Sequence, residues 1–224
     1  MDTETKIFNV DDERVSNFIF SISKEEDKEI LELKETAIKM QVPIIRDETK
    51  AFIKYTMHLL KPKKILELGT AIAYSTLVIY KETKDYIEKL VTVENYPIRI
   101  KEAKKNISKY FDKNKIKLVE QDIDDFLRNN ENDEKYDFIF LDAAKGQYIV
   151  WLPYIKQLMK KNSVLIADNI FKDGEILESR FLIDKRDRTI HKRMREFLYT
   201  IMHDEDFNTQ IFNLGDGLSV SIKK

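Results

Sequence analysis

The sequence predicts a doubly wound α/β fold, a mostly parallel sheet that closes with an antiparallel hairpin and follows a helical segment over residues 1–60. Two observations carry this. Five β-branched apolar runs, KILEL (64–68), KLVTVE (89–94), IKLVEQ (116–121), YDFIFLD (136–142) and SVLIAD (163–168), alternate with stretches of helical period. Continuous apolar strands separated by helices belong to a parallel sheet covered on both faces, and right-handed crossovers make it doubly wound. The terminal TQIFNLGDGLSVSIKK instead places two alternating runs around a Gly-Asp-Gly turn signal, the pattern of a hairpin.

Ahead of the first strand, Ile30, Leu33, Ala37 and Met40 recur at helix spacing, and Pro43 interrupts the pattern so that two helices meet there. A chain of 224 residues with 42% hydrophobic content supplies one core, so residues 1–224 are expected to form a single domain with 1–60 packed on it. Lys and Arg number 39 against 40 Asp and Glu, and a net charge of -1 gives no global attraction to nucleic acid or to an anionic membrane. A polyanionic partner would need a local patch. The absence of cysteine excludes disulfides, thiolate metal sites and a cysteine nucleophile, and fits a cytoplasmic protein. The opening MDTETKIFNVDDERVSNFIF is acidic where a signal peptide is basic, and no apolar run approaches the roughly 20 residues that span a bilayer.

Four of the five runs finish at or beside an acid: Glu67, Glu94, Asp142 and Asp168. In open α/β sheets, ligands bind in the crevice outside the carboxyl ends of the strands. Gly69, between the first strand and a helix, allows a sharp turn and a close ligand approach, with the amides from Thr70 to Ser75 at a positive helix end; a plain structural turn is the alternative. The loop reads GTAIAY, without the further glycines of a dinucleotide fingerprint and without a P-loop Gly-Lys, which places a nicotinamide dehydrogenase low. Glu94 suits the two hydroxyls of a ribose, although a lone acid there is more often a solvated loop residue. Asp142, Asp168 and Asn169 offer three hard oxygen ligands at adjacent strand ends, a set suited to Mg²⁺. Lys145, three residues beyond Asp142, can lower the pKa of a substrate hydroxyl, or take its proton if the pocket depresses its own pKa. Ordinary strand-end acids beside a surface lysine are the competing reading.

ILELGTAIAYS, VTVE, DFIFLDAAKGQY and LIADN, in this order and preceded by MQVPIIRDETKAFI, resemble the cation-dependent O-methyltransferases that include the catechol and caffeoyl-CoA enzymes. The resemblance runs from about residue 30 to the end and is nearest the bacterial branch of tRNA 5-hydroxyuridine methyltransferases. It implies a Rossmann-like class I methyltransferase with a seven-stranded sheet, S-adenosylmethionine and Mg²⁺ as cofactors, and a homodimer in which the amino-terminal helices, with apolar Phe18, Phe20 and Ile22, pack on a second subunit. On the matching positions, Val42, Glu67, Gly69, Thr70, Ser75 and Asp142 would serve the methionine end of the cofactor, Glu94 its ribose, and Asp122 and Ile123 its adenine. Asp142, Asp168 and Asn169 would hold Mg²⁺, and Lys145 would be the catalytic base. Three positions depart from the family pattern: Ala73 replaces a second glycine, Gln121 a glycine before the acid, and Thr49–Lys50 a Gly-Gln pair.

The acceptor is read from RFLIDKRDRTIHKRMREFLYTI, where seven Lys/Arg between Arg180 and Arg195 face only Asp184 and Asp187. Helical spacing puts Lys185, Arg188, Lys192 and Arg195 on one face, with Arg186 beside them, and Ile190, Met194, Phe197, Leu198 and Ile201 on the buried stripe. A basic face beside the site would contact RNA phosphates, so tRNA methylated at wobble 5-hydroxyuridine is the leading acceptor. A solvated helix face, with a small catechol-like or vicinal-hydroxyl compound as acceptor, is the alternative, and a non-catalytic S-adenosylmethionine- or RNA-binding protein the third reading.

Overall fold

The computed structural model describes residues 12–129 and 134–224. The opening of the acidic amino-terminal stretch and the side chain of Phe20 lie outside the described residues. The five apolar runs form β1 (Lys64–Leu68), β2 (Lys89–Glu94), β3 (Ile116–Glu120), β4 (Tyr136–Leu141) and β5 (Met159–Ala167), all parallel, and the hairpin forms β6 (Phe207–Phe212) and β7 (Leu218–Lys223). The sheet order is β3-β2-β1-β4-β5-β7-β6, with β7 antiparallel to both neighbours. The chain winds outward from β1 in one direction and from β4 in the other, so the crevice of the doubly wound sheet opens between the ends of β1 and β4.

Side-chain alternation divides the core. Leu66, Leu68, Ile139, Leu141 and Leu165 point to the face covered by α6 (Ile123–Arg128), α7 (Tyr148–Leu158) and α8 (Arg188–His203). Ile65, Phe138, Phe140, Val164 and Ile166 point to the other, covered by α2 (Lys28–Met40), α3 (Asp47–Leu60), α4 (Tyr74–Thr83) and α5 (Pro97–Tyr110). Each fully buried Leu or Ile contributes about 1.5–3 kcal/mol, which fixes the register, because a one-residue slip would turn every core side chain outward.

Differences from the sequence reading are local. The third, fourth and fifth strands end one residue earlier, at Glu120, Leu141 and Ala167, so Gln121, Asp142 and Asp168 stand beyond the sheet. The fifth begins at Met159 rather than 163, because Met159 already pairs with Tyr136; Lys160 and Asn162 carry no apolar signal, and the register shifts before Phe138. The hairpin turns through five residues (213–217), with Gly215 and Gly217 at φ 60° and 83°. α2 stops at Met40, where Gln41 takes a left-handed cap conformation, and α3 starts at Asp47, so Pro43 lies in the connection. The first helix, α1 (Asp12–Ile22), leaves Phe18, Ile19 and Ile22 exposed. Among the described residues, no helix is long and apolar enough to cross a membrane.

Candidate active site

A cavity of about 580 Å³ opens at the crevice, a size that suits a nucleoside-type ligand. Its wall contains Gly69, Thr70, Ser75, Glu94, Asp122, Ile123, Asp142, Lys145 and Asn169. Most of the residues singled out from sequence therefore meet around one space.

At one end, the Glu94 carboxylate accepts the amides of Ala71 (2.9 Å), Asn95 and Tyr96 (both 3.0 Å), which fixes its orientation while leaving acceptor capacity toward the cavity. Asp122 caps α6 by accepting from the Asp124 amide at 2.8 Å, and its other oxygen accepts from Asn95 Nδ2 at 2.7 Å. Ile123 supplies the adjacent apolar wall.

The glycine loop has a steric cause. Gly69 sits at φ 107°, and a Cβ added there would lie 2.0 Å from the carbonyl oxygen of Asp142. Only glycine lets β1 pass so close to the strand end that carries Asp142. Ala73 adopts φ 71° as the residue before α4 and is fully buried, yet it is not part of the cavity wall. Its methyl group therefore does not narrow the ligand space, and its cost is backbone strain of about 1 kcal/mol. Ala73→Gly is expected to leave cofactor affinity within about twofold by calorimetry and to shift stability by no more than about 1 kcal/mol, since relief of strain offsets the added entropy of the unfolded chain.

Glu67, Val42 and Asp168 stand off the wall. Glu67 faces α4 from the row of Ile65, fully buried, and accepts hydroxyl hydrogen bonds from Ser75 (2.6 Å), Thr76 (2.5 Å) and Thr92 (2.7 Å). Burial pushes its carboxyl up to about 7, against the pull of those three donors. Thr92 also meets Thr70 Oγ1 at 2.5 Å, so the carboxyl ties the start of α4 and the loop to β2 from beneath. The Val42 amide is spent on the α2 cap, donating to Ala37 O at 2.9 Å, and its neighbours Pro43, Ile44 and Ile45 form the wall instead.

At the other end, β4 and β5 are paired in register up to Leu141 and Ala167, which sets Asp142 and Asp168 side by side just beyond the sheet. Asp168 is fully buried. Its Oδ1 accepts from the Asn169 amide at 2.8 Å and from Thr49 Oγ1 at 3.4 Å, while its Oδ2 has no hydrogen-bond partner. Burial, and next the like charge of Asp142, push its carboxyl up to about 7. An orphaned carboxylate oxygen beside a second carboxylate is costly unless a cation satisfies both. Asn169, at φ 55°, adds an amide at the cavity wall. Among the described residues there is no group of three or more His, Cys, Asp and Glu that could hold a metal; an ion bound here would have two carboxylates and one amide oxygen from the protein, a set that fits Mg²⁺ completed by water or substrate.

Lys145 Nζ lies 2.7 Å from Asp142 Oδ1. Burial works to lower its pKa, but Asp142 and the adjacent Tyr148 outweigh it, and the net direction is upward. The depression that would make it a ready base is thus not present while Asp142 is its counter-ion.

The basic stretch needs correction. α8 begins at Arg188, so Lys185 and Arg186 belong to the preceding loop rather than to a helical face. Arg188 Nε donates to Ile183 O (3.0 Å), Arg195 Nη1 to Ile176 O (3.0 Å) and Arg193 Nη1 to Gly146 O (3.1 Å), while Arg186 pairs with Asp187 (3.1 Å) and Lys192 with Glu196 (3.6 Å). These arginines build the loop and anchor it beside the turn that carries Lys145. Of the anticipated stripe, Met194, Phe197 and Ile201 are buried, and His191 joins them with Nε2 3.1 Å from Glu178 O.

Sequence reasoning gave no role to Trp151, Arg99 or Ile44, all of which line the cavity, nor to the Thr49 hydroxyl against Asp168. Only Thr49 carried a signal, as a departure from the family pattern.

A doubly wound sheet with its pocket at the switch point, Glu94 at the end of β2 and Asp142 and Asp168 just beyond β4 and β5 is a Rossmann-like architecture. The sequence matches the O-methyltransferase family model over residues 20–224, and the chain belongs to that family as an S-adenosylmethionine-dependent O-methyltransferase. It is 26% identical to catechol O-methyltransferase of Niastella koreensis over 74% of this chain and 76% of that protein. It is 25% identical to caffeoyl-CoA O-methyltransferase of Citrus natsudaidai over 90% and 89%. Among solved structures, a candidate caffeoyl-CoA O-methyltransferase of Staphylococcus aureus superimposes with a TM-score of 0.83 at 28% identity, covering 95% of this chain and 98% of that one.

Proposed function

We propose that this enzyme, with Mg²⁺, methylates one of two adjacent oxygens on its acceptor, and that the acceptor is 5-hydroxyuridine at the wobble position of tRNA, giving 5-methoxyuridine. The observation that carries the metal-assisted chemistry is the unpartnered Oδ2 of buried Asp168 next to Asp142 and Lys145. Asp142, Asp168 and Asn169 would hold the metal; Gly69, Thr70, Ser75 and Asp142 the methionine end of the cofactor; Glu94 the ribose; Asp122 and Ile123 the adenine. When bound, S-adenosylmethionine would supply an electrophilic methyl group and Mg²⁺ the charge that acidifies an acceptor hydroxyl. Lys145, once its own proton has left to solvent, would accept the hydroxyl proton at Nζ, and the pocket wall would hold the oxygen in line with the methyl group it receives as the cofactor's carbon–sulfur bond breaks.

Support for RNA comes from the exposed cations Arg180, Lys185, Arg186 and Lys192 next to exposed Phe181 and Leu182, a mixture suited to phosphates and unstacked bases. The second reading, a small catechol-like acceptor, is favoured by the names of the relatives and by the internal bonding of Arg188 and Arg195. The exposed apolar residues of α1 support pairing with a second copy of the chain.

The test supplies purified protein with methyl-labelled S-adenosylmethionine and Mg²⁺, and offers tRNA from cells lacking this gene or, separately, catechol, each with and without EDTA. Label in tRNA that EDTA prevents is the expected result. Label in catechol alone would transfer the proposal to small acceptors.

A further inference from the structure

Tyr148 closes the DAAKGQY segment that supplies Asp142 and Lys145. Its side chain is fully buried and packs edge-on against Phe197, with centroids 5.5 Å apart at 77°. Its hydroxyl lies at the meeting point of four groups. The Ala143 amide and Lys145 Nζ each donate to it at 3.1 Å, and it faces the carbonyl oxygens of Leu141 at 3.2 Å and Asp168 at 3.4 Å.

A phenol has one proton and two lone pairs. Two N–H donors fill the lone pairs, and two carbonyl oxygens compete for the proton, so this hydroxyl has no capacity left for substrate. A phenolate there would face both carbonyls without a proton to give, which leaves Tyr148 as a neutral holding group. What it holds is the end of β4 on both sides of Asp142, the end of β5 at Asp168, and the lysine. Lys145 occupies a single turn of 3-10 helix (Lys145–Gln147), and the neutral amine that a base requires has two N–H bonds and one lone pair. Donation to Asp142 and to Tyr148 uses both N–H bonds, which leaves the lone pair for the acceptor's proton.

We infer that the Tyr148 hydroxyl is a positioning group that fixes the Lys145 side chain in a single orientation relative to the acceptor oxygen. The inference rests on the role proposed for Lys145, and it adds that the lysine works only when held at two points. A free lysine side chain samples several rotamers, and misplacement by about 1 Å can cost on the order of 100-fold in rate.

The test uses Tyr148→Phe, which keeps the ring packing on Phe197, and Lys145→Met, singly and combined, in the full chain. With ¹³C-labelled lysine, the ε-CH₂ protons of Lys145, identified by their loss in Lys145→Met, are expected to show two resolved shifts in the wild type and one averaged shift in Tyr148→Phe. Two resolved shifts in the variant would overturn the inference whatever the acceptor. On the acceptor that takes label, Tyr148→Phe is expected to lower kcat by about 10- to 100-fold, with KM within about threefold. In the Lys145→Met background the same change should lower kcat no further, because the group it positions is gone. An additive loss would mark Tyr148 as a structural support alone and contradict the inference. Full activity in Lys145→Met would instead remove the proposed base, a failure distinct from the other two.

Discussion

Asp168→Asn is expected to lower methyl transfer by at least about 10³-fold and, at pH 8, to raise the melting temperature of the metal-free protein. Both effects have one cause. Asp168 is buried without a partner for Oδ2, and burial and then the charge of Asp142 bring its carboxyl to about 7. Its folded-state pKa is above that of the unfolded chain, so between about pH 4 and pH 7 the native state binds more protons and stability falls as pH rises. Above that window the ionised carboxylate is a standing cost, removed in the Asn variant for a gain on the order of 1–3 kcal/mol. Buried Glu67, also pushed to about 7, adds a decline of the same sign. Scanning calorimetry with EDTA across pH 5 to 8 should show the wild type losing stability and Asp168→Asn losing less. A variant less stable than wild type at pH 8 would mean that the second carboxylate serves the fold and not a cation.

Gly69→Ala is expected to destabilise the protein by about 3 kcal/mol or more, or to prevent folding. The added Cβ would lie 2.0 Å from Asp142 O and 2.9 Å from Asp142 C, and no flexible side chain is available to yield, because the obstacle is backbone at the centre of the sheet. The φ of 107° adds strain for any L side chain. Urea denaturation measures the loss; a midpoint within about 0.5 M of wild type, roughly 1 kcal/mol for a typical urea slope, would show that the β1–β4 junction relaxes. Where the variant folds, displacement of Asp142 should remove the proposed metal-dependent activity as well.

The wound sheet was legible because β1, β2 and β4 are mostly apolar runs, and a strand buried on both faces has few polar positions to blur the pattern. The start of β5 was not, because a single pair, Tyr136 with Met159, extends the strand there, and Lys160 and Asn162 lie in the irregular stretch before pairing resumes at Val164. At the site, Glu94, Asp142, Asp168 and Asn169 were legible from their positions at strand ends. Glu67 looked equivalent in sequence, yet strand alternation turns it beneath the loop, where it accepts three hydroxyls off the cavity wall. The charge of the 180–195 stretch was visible, whereas the engagement of Arg188, Arg193 and Arg195 with backbone carbonyls was not, since those partners come from the loop at Ile176 and Ile183 and from Gly146. Tyr148 lay in view within its motif, but four contacts to one hydroxyl arise only when the ends of β4 and β5 meet.

The most direct test of a cation held by Asp142, Asp168 and Asn169 is titration of Mn²⁺, as a paramagnetic substitute for Mg²⁺, into wild-type and Asp168→Asn protein, read by the loss of the free-ion electron paramagnetic resonance signal. One bound ion per wild-type chain, released by excess Mg²⁺ and absent from the variant, is the predicted result. Equal binding by both proteins would contradict the assignment of the site.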